Sequence, residues 1–381
     1  MGFFDAFKPQ NWTALAAALG LAPYKPIQGY SEKMCFRRMD RMRGAPAVGE
    51  PPSFAHWLWG KHRGADVVVL QYETGSGSSS TTWTAAVARI DPPLGLGLEV
   101  GAENFFNRLF GGADVSVGHP EADEKLRIHS LDPQRTAMLL SPADEAGRNL
   151  LRYMSNLVHT YTSQVGDSFV RVASQGVHTA PAEVLDLLNP AVDLAAWLSA
   201  RRQQLPVSTT EHTQRREWQR FADANSFQLD AARMTVRGTR DGTLLEIAQE
   251  IEGQEVFTAV SARFPSAAPV PFLVSRTSTP NFLQGVFSQD IELGDPVFDA
   301  AFKVVGGPDD AVRQLLRRPG LLRALSYGAS LTSDLHVGQQ SLFARIGGAS
   351  WQAANLEMLA AWTCAVSSEL VGAAIAPGPY R

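Results

Sequence analysis

Asp114-Val-Ser-Val-Gly-His-Pro-Glu-Ala-Asp123 and Asp290-Ile-Glu-Leu-Gly-Asp-Pro-Val-Phe-Asp299 are two copies of one decapeptide, D-[VI]-x-[VL]-G-x-P-x-x-D, lying nearly half a chain apart. One such match is weak. A collinear series of them is strong, because self-similarity at a fixed interval marks a repeated architecture. Upstream, Asn104-Phe105-Phe106 and Phe110 answer Asn281-Phe282-Leu283 and Phe287, and Thr84-Ala85 with Arg89 answer Thr258-Ala259 with Arg263. Downstream, Arg127-Ile128 pairs with Lys303-Val304 and Leu139-Leu140 with Leu315-Leu316. Further on, Phe169-x-Arg171-Val172 aligns with Phe343-x-Arg345-Ile346, and Glu183 and Leu185 align with Glu357 and Leu359. A tryptophan opens each half, at Trp12 and Trp218.

This series predicts a tandem duplication of one α+β unit. The first unit covers 1–200 and carries a basic, Pro- and Gly-rich insertion near 24–54; a polar linker covers 201–214; the second unit covers 215–381. Within each unit the pattern reads as a leading helix, three or four strands, the motif loop, a helix, two strands and a closing helix. Val256 to Phe264 alternates as a half-buried strand does, and Ser330 to Val337 with Ser341 to Ile346 reads as a hairpin across Gly338. Strands joined by short turns pair antiparallel, so each unit is expected to be a mainly antiparallel sheet with flanking helices.

The second copy of the motif, Gly294-Asp295-Pro-Val-Phe298-Asp299-Ala-Ala-Phe302-Lys-Val304, resembles a G-D-x-x-F-D-x-x-F-x-V signature found in bacterial proteins of unknown function. The first copy departs from it at His119, Ala122 and Leu126, and the resemblance implies no activity. Physically, the motif reads as a strand end turned by Gly-x-Pro, with Asp123 and Asp299 bonding loop amides and Phe298 and Phe302 buried. A calcium or magnesium site built from Asp290, Glu292, Asp295 and Asp299 is the rival reading. It lacks any dedicated loop spacing, so neither a metal nor another cofactor is expected.

Of the 381 residues, 45% are hydrophobic and 19% charged, which are globular proportions. The net charge of −4 supplies no basic field, so nucleic acid is not an expected partner. Cys35 and Cys364 stand far apart, without a disulfide framework or zinc spacing, and suit a reducing compartment. The start, Met1 to Lys8, lacks a signal-peptide pattern, and no apolar run approaches the roughly 20 residues that span a bilayer. Phe3, Phe4 and Phe7 are expected to dock on the protein's own core rather than to touch a membrane surface. The expected location is the cytoplasm.

No HExxH, G-x-S-x-G or Walker sequence is present, and Gly95-Leu-Gly-Leu lacks the third glycine of a dinucleotide fingerprint. One cluster differs from plain core, namely Phe54 to Gly60 with Trp57, Trp59 and, just beyond, His62 and Arg63. Aromatic side chains beside arginine are the usual anchors of protein interfaces. In a strand, Trp57 and Trp59 would share a face, whereas a helix or loop would part them. The leading expectation is a non-enzymatic binding or scaffold protein, built as a pseudo-dimer, that uses Trp57, Trp59, His62 and Arg63 on a protein partner. The alternative is a hydrolase-type enzyme with a cleft between the halves served by His119, Asp123 and His129. The repeat motif is carried by Asp114, Gly118 and Asp123 in one half and Asp290, Gly294 and Asp299 in the other.

Overall fold

Val67-Val-Val-Leu70 is β-branched and apolar, and it follows Arg63-Gly64, two residues with φ of +51° and +85°. Positive φ at both centres makes a two-residue turn whose twist matches that of the strands it joins. The same turn recurs at Asp241-Gly242, with φ of +50° and +76°. It recurs because the whole unit recurs. The computed structural model describes residues 9–23, 57–74, 81–102, 115–252, 255–276, 290–348 and 352–372. The 24–54 insertion, Asp114, Asn104 to Phe110 and Asn281 to Phe287 lie outside the described residues, as do the three phenylalanines near the start.

In the first unit α1 (Pro9–Leu19) leads into β1 (Ala22–Pro23), β2 (Trp57–His62), β3 (Ala65–Thr74), β4 (Thr81–Arg89) and β5 (Glu99–Gly101). Then come α2 (Pro120–Lys125), β6 (Arg127–His129), α3 (Pro133–Leu139), α4 (Glu145–Thr160), β7 (Thr162–Val165), β8 (Phe169–Gln175) and α5 (Pro181–Arg202). The second unit runs through α6 (Thr209–Asn225), β9 (Gln228–Asp230), β10 (Thr235–Arg240), β11 (Thr243–Glu252), β12 (Glu255–Arg263) and β13 (Phe272–Arg276). It closes with α7 (Pro296–Ala301), β14 (Phe302–Gly306), α8 (Asp309–Leu316), α9 (Pro319–Leu331), β15 (Asp334–Gly338), β16 (Ser341–Gly347) and α10 (Ala353–Val371). Among the described residues the order of elements is the same in both.

Each unit holds one eight-stranded sheet, ordered β1-β2-β3-β4-β8-β7-β5-β6 in the first and β9-β10-β11-β12-β16-β15-β13-β14 in the second. Strand for strand, these are one topology. The hairpins β2-β3 and β10-β11 even share their register, from Trp57 opposite Leu70 to His62 opposite Ala65, and from Thr235 opposite Ala248 to Arg240 opposite Thr243. The fold is α+β with antiparallel sheets. One face of each sheet carries the helices: Leu58, Val69, Ala86 and Val172 pack with Leu150, Leu187 and Leu188 in one core, and Val236, Ile247, Val260 and Ala344 pack with Phe221, Leu356 and Leu359 in the other.

The structure corrects three sequence expectations. The polar linker is shorter than 201–214, because Arg201 and Arg202 complete the last turn of α5 and Ser208 caps α6 by accepting from Glu211 N. The two compact units divide at Pro206 and Val207. Among the described residues each unit also has five strands before the motif, and a further strand directly after it that the sequence reading did not separate. At three residues, Arg127 to His129 is too short to show an alternation.

The third correction concerns register. Val87 pairs with Arg171, and its counterpart Ser261 pairs with Phe343, so Arg171 occupies the place of Phe343 rather than that of Arg345. The cross-strand neighbours agree, Gln164 facing Arg171 and His336 facing Phe343. The closing helices carry the same offset. Val184, Leu187, Leu188, Ala191 and Leu198 are buried at the spacing of Leu356, Leu359, Ala360, Thr363 and Leu370. Leu187, not Leu185, therefore stands where Leu359 does. A slip of two residues returns a strand's side chains to the same face, so hydrophobic alternation cannot detect it.

Candidate functional site

The motif loops show what their repeated acids do. Asp123 accepts from Val117 N through Oδ1 (2.9 Å), and its Oδ2 accepts from Gly118 N (3.2 Å) and from the Ser116 hydroxyl (2.9 Å). Asp299 accepts from Leu293 N (2.8 Å) and Gly294 N (2.9 Å) in the same arrangement. Gly118 and Gly294 both have φ of +74°, the left-handed region open to glycine. His119 Nδ1 caps α2 by accepting from Ala122 N, and Asp295 caps α7 by accepting from Val297 N and Phe298 N. Asp290 accepts from Val304 N at 2.9 Å, which ties the loop to β14. Among the described residues no group of three or more His, Cys, Asp or Glu side chains could hold a metal ion.

The residues of the catalytic alternative fall on the motif loop and on β6. Asp123 spends both oxygens on its loop, His119 is a helix cap, and His129 is buried on β6 with its backbone paired to Glu99. The Gly95-Leu-Gly-Leu stretch proves to be a loop closed around Asp167, whose carboxylate accepts from Gly95 N (2.9 Å), Leu96 N (2.7 Å) and Leu98 N (3.3 Å). Burial pushes the Asp167 carboxyl up, against the pull of those amides. Nothing in the sequence announced this residue, since a lone Asp far along the chain carries no spacing signal.

The aromatic cluster divides. Because β2 is a strand, Trp59 faces one side of the sheet and Leu58, Gly60 and His62 the other. Trp59 is 52% exposed; the Trp57 side chain lies outside the described part of the structure. His62 and Arg63 leave the tryptophans and reach α5 instead. His62 Nε2 lies 2.9 Å from Asn189 Oδ1, and Arg63 Nη1 lies 2.8 Å from Asp193 Oδ1. Asn189 and Asp193 are one turn apart, and Trp197 follows at the next turn of the same face.

Trp197 is 43% exposed and meets Tyr153 of α4 edge to face, with ring centroids 5.2 Å apart. Burial pushes the Tyr153 phenol up, and the Asp193 carboxylate adds to the shift while Arg63 opposes it. The result is a solvent-facing strip across three elements: the β2-β3 turn, α5 and α4. Sequence reasoning found its first two members and missed Trp197 and Tyr153, whose partnership depends on helix packing. In the second unit the matching positions of α10 are Ala361, Ala365 and Glu369, so the strip is private to the first unit.

The face of the sheet turned away from the helices also differs between units. In the first, Val68, Leu70, Ala85, Val87 and Ala173 are buried there, and so are Arg171, paired opposite Val87, and Gln164, paired opposite Arg171. In the second, His336 Nε2 lies 3.0 Å from Asp334 Oδ1, and Arg345 sits 3.7 Å above the Phe257 ring with its Nε 3.5 Å from Glu250 Oε2. Burial pushes the His336 imidazole down to about 4 even beside that carboxylate.

No protein-family model matches the sequence, and no curated protein matches it either. Among solved structures, the crystal structure of the mycobacterial trehalose monomycolate transport factor A, TtfA, aligns over 43% of this chain and 98% of that chain, at 13% identity and a TM-score of 0.27. A likeness that slight carries no functional argument. No helix among the described residues is long and apolar enough to cross a membrane.

Proposed function

We propose that the chain is a non-enzymatic binding or scaffold protein of the cytoplasm, and that it docks a protein partner on the first unit's α4–α5 face. The observation that carries this reading is the half-exposed Trp197, set edge to face against Tyr153 on the helix that also holds Asp193 of the Arg63–Asp193 ion pair. A surface tryptophan can be a bystander of packing. In this protein the second unit builds the same fold with alanines and a glutamate in those places, so the fold does not require the strip. Exposed aromatic side chains are among those that most often dominate interface energies.

Trp197→Ala tests it. Folding should be spared, with a change within about 0.5 kcal/mol as for ordinary surface positions, while partner binding loses about 2 kcal/mol or more. Urea denaturation and affinity capture from the native cell read the two quantities. A variant that unfolds like a core truncation, or one that retains every captured partner, would overturn the reading.

A further inference from the structure

We infer that the partner segment docking on the α4–α5 face is basic: it lays lysine or arginine side chains along α5 and seats one of them, with its apolar stem, on the Trp197–Tyr153 pair. This rests on the docking reading above and adds the chemistry of the occupant. The stretch of α5 that leads up to Trp197 is acidic. Glu183, Asp186, Asp193 and Trp197 are spaced by whole turns, which keeps them on one stripe of the helix. Glu183, Asp186 and Trp197 are exposed and Asp193 is half-buried. Glu183 is met by His178 at 3.5 Å and Asp193 holds Arg63, while Asp186 has no bonded partner among the described residues. Glu183 stands in the first turn, where the helix dipole alone favours a negative charge; Asp186 and Asp193 lie beyond that turn. In α10 the matching positions are Asn355, Met358 and Ala365, so the fold does not require these acids.

The charges that act at the aromatic pair point the same way. On the Tyr153 phenol the Asp193 carboxylate outweighs the Arg63 guanidinium, which leaves that ring in a net negative field. The exposed arginines of α4 act elsewhere, Arg148 on Asp144 and Arg152 on Glu121. An aromatic ring is itself negative over its face and attracts a guanidinium or ammonium resting on it. Lysine and arginine also carry apolar stems that cover a ring while the charged head reaches onward. Trp197, one turn beyond Asp193, offers one incoming side chain both a ring and a carboxylate. An acidic segment would meet like charges along α5, and like-charge contacts across an interface oppose binding.

The experiment uses the full chain and two dye-labelled amphipathic peptides with the same leucine face, one carrying arginines and the other glutamates opposite it. Fluorescence anisotropy should show the arginine peptide binding about tenfold or more tightly than its glutamate twin, with the preference shrinking as salt is raised. The chain's net charge of −4 attracts any basic peptide weakly, so the variants decide where it sits. Glu183→Lys with Asp186→Lys should weaken the arginine peptide about tenfold or more, and so should Trp197→Ala. Asp309→Lys with Asp310→Lys, an equal change of charge in the second unit, should leave its affinity in place. Equal binding of the twins, no binding of the arginine peptide, or an affinity that survives either first-unit variant would overturn the inference. Asp186→Lys alone, at an exposed position without a bonded partner, gives the same reading if the double variant fails to fold. Self-association that Trp197→Ala abolishes, with neither peptide bound, would assign the face to a second copy of the chain and overturn the inference too. Captured cellular partners lost with Trp197→Ala but kept by the Glu183 and Asp186 double variant would leave the docking reading standing and remove only the basic chemistry.

Discussion

Gly118 and Gly294 show how one residue type serves both copies of a motif. Each is held at φ of +74° while its amide donates to an aspartate five residues on. Added Cβ atoms meet different neighbours, though. At Gly118 nothing lies within 4 Å, whereas at Gly294 the Arg317 Nη2 lies at 3.1 Å, and Arg317 also donates to Leu293 O. Gly118→Ala is expected to cost about 1 kcal/mol from backbone strain alone, and Gly294→Ala more, since Arg317 must move as well. Chemical denaturation of both variants checks the order; equal costs would show that Arg317 gives way freely. His336 supports a second residue-scale prediction. In the unfolded chain its imidazole titrates near 6.5, and in the fold near 4, so between those values only the unfolded chain holds the extra proton. Its contribution is thus complete above pH 6.5 and lost as pH falls toward 4, by roughly 3 kcal/mol. His336→Gln, which installs the residue found at the matching Gln164, should flatten that slope. If the Asp334 carboxylate outweighed burial, the wild-type slope attributable to His336 would have the opposite sign.

At the scale of elements, helices and long strands were legible because their signals are redundant. The Asp309 to Leu316 helix and, beyond Pro319-Gly320, a helix over Leu321 to Tyr327 could be read from the sequence, as could the β15-β16 hairpin around Gly338, although α9 runs from Pro319 to Leu331 and takes Ser330 from the expected strand. What the sequence hid was the two-residue offset of β8 and α5 against β16 and α10. Phe169-x-Arg171 and Phe343-x-Arg345 look equivalent because identical letters attract an alignment, while backbone pairing obeys the Gly166 and Gly338 turns. The offset is testable in the closing helices. Leu187 and Leu359 are fully buried, and Leu185 is only partly so. Leu187→Ala and Leu359→Ala should each cost about 2–5 kcal/mol, and Leu185→Ala clearly less. If Leu185 instead matched Leu359 in cost, the sequence alignment would be right and the register wrong.

Across the whole molecule, the repeat was readable and the candidate site mostly was not, for one physical reason. Repetition leaves the same core positions twice, so pattern accumulates along the chain. A docking strip is made once, by side chains such as Tyr153 and Trp197 that meet only after two helices pack, and it therefore leaves no periodic trace. Trp57, Trp59, His62 and Arg63 were noticed for their density, yet strand alternation sends Trp59 to one side and His62 to the other. The shared topology makes its own prediction for amide hydrogen exchange. Strands at the centre of a sheet open only with the loss of pairing on both flanks, while edge strands fray at lower cost. Protection should rise from β1 and β6 toward β4 and β8 in the first unit, and from β9 and β14 toward β12 and β16 in the second. Two profiles of the same shape, aligned through Thr84 with Thr258, are the expected result. If the slowest amides of either unit mapped instead to β5 and β6 or to β13 and β14, those strands would have to lie at the centre of their sheet rather than at its edge, and the strand order would be wrong.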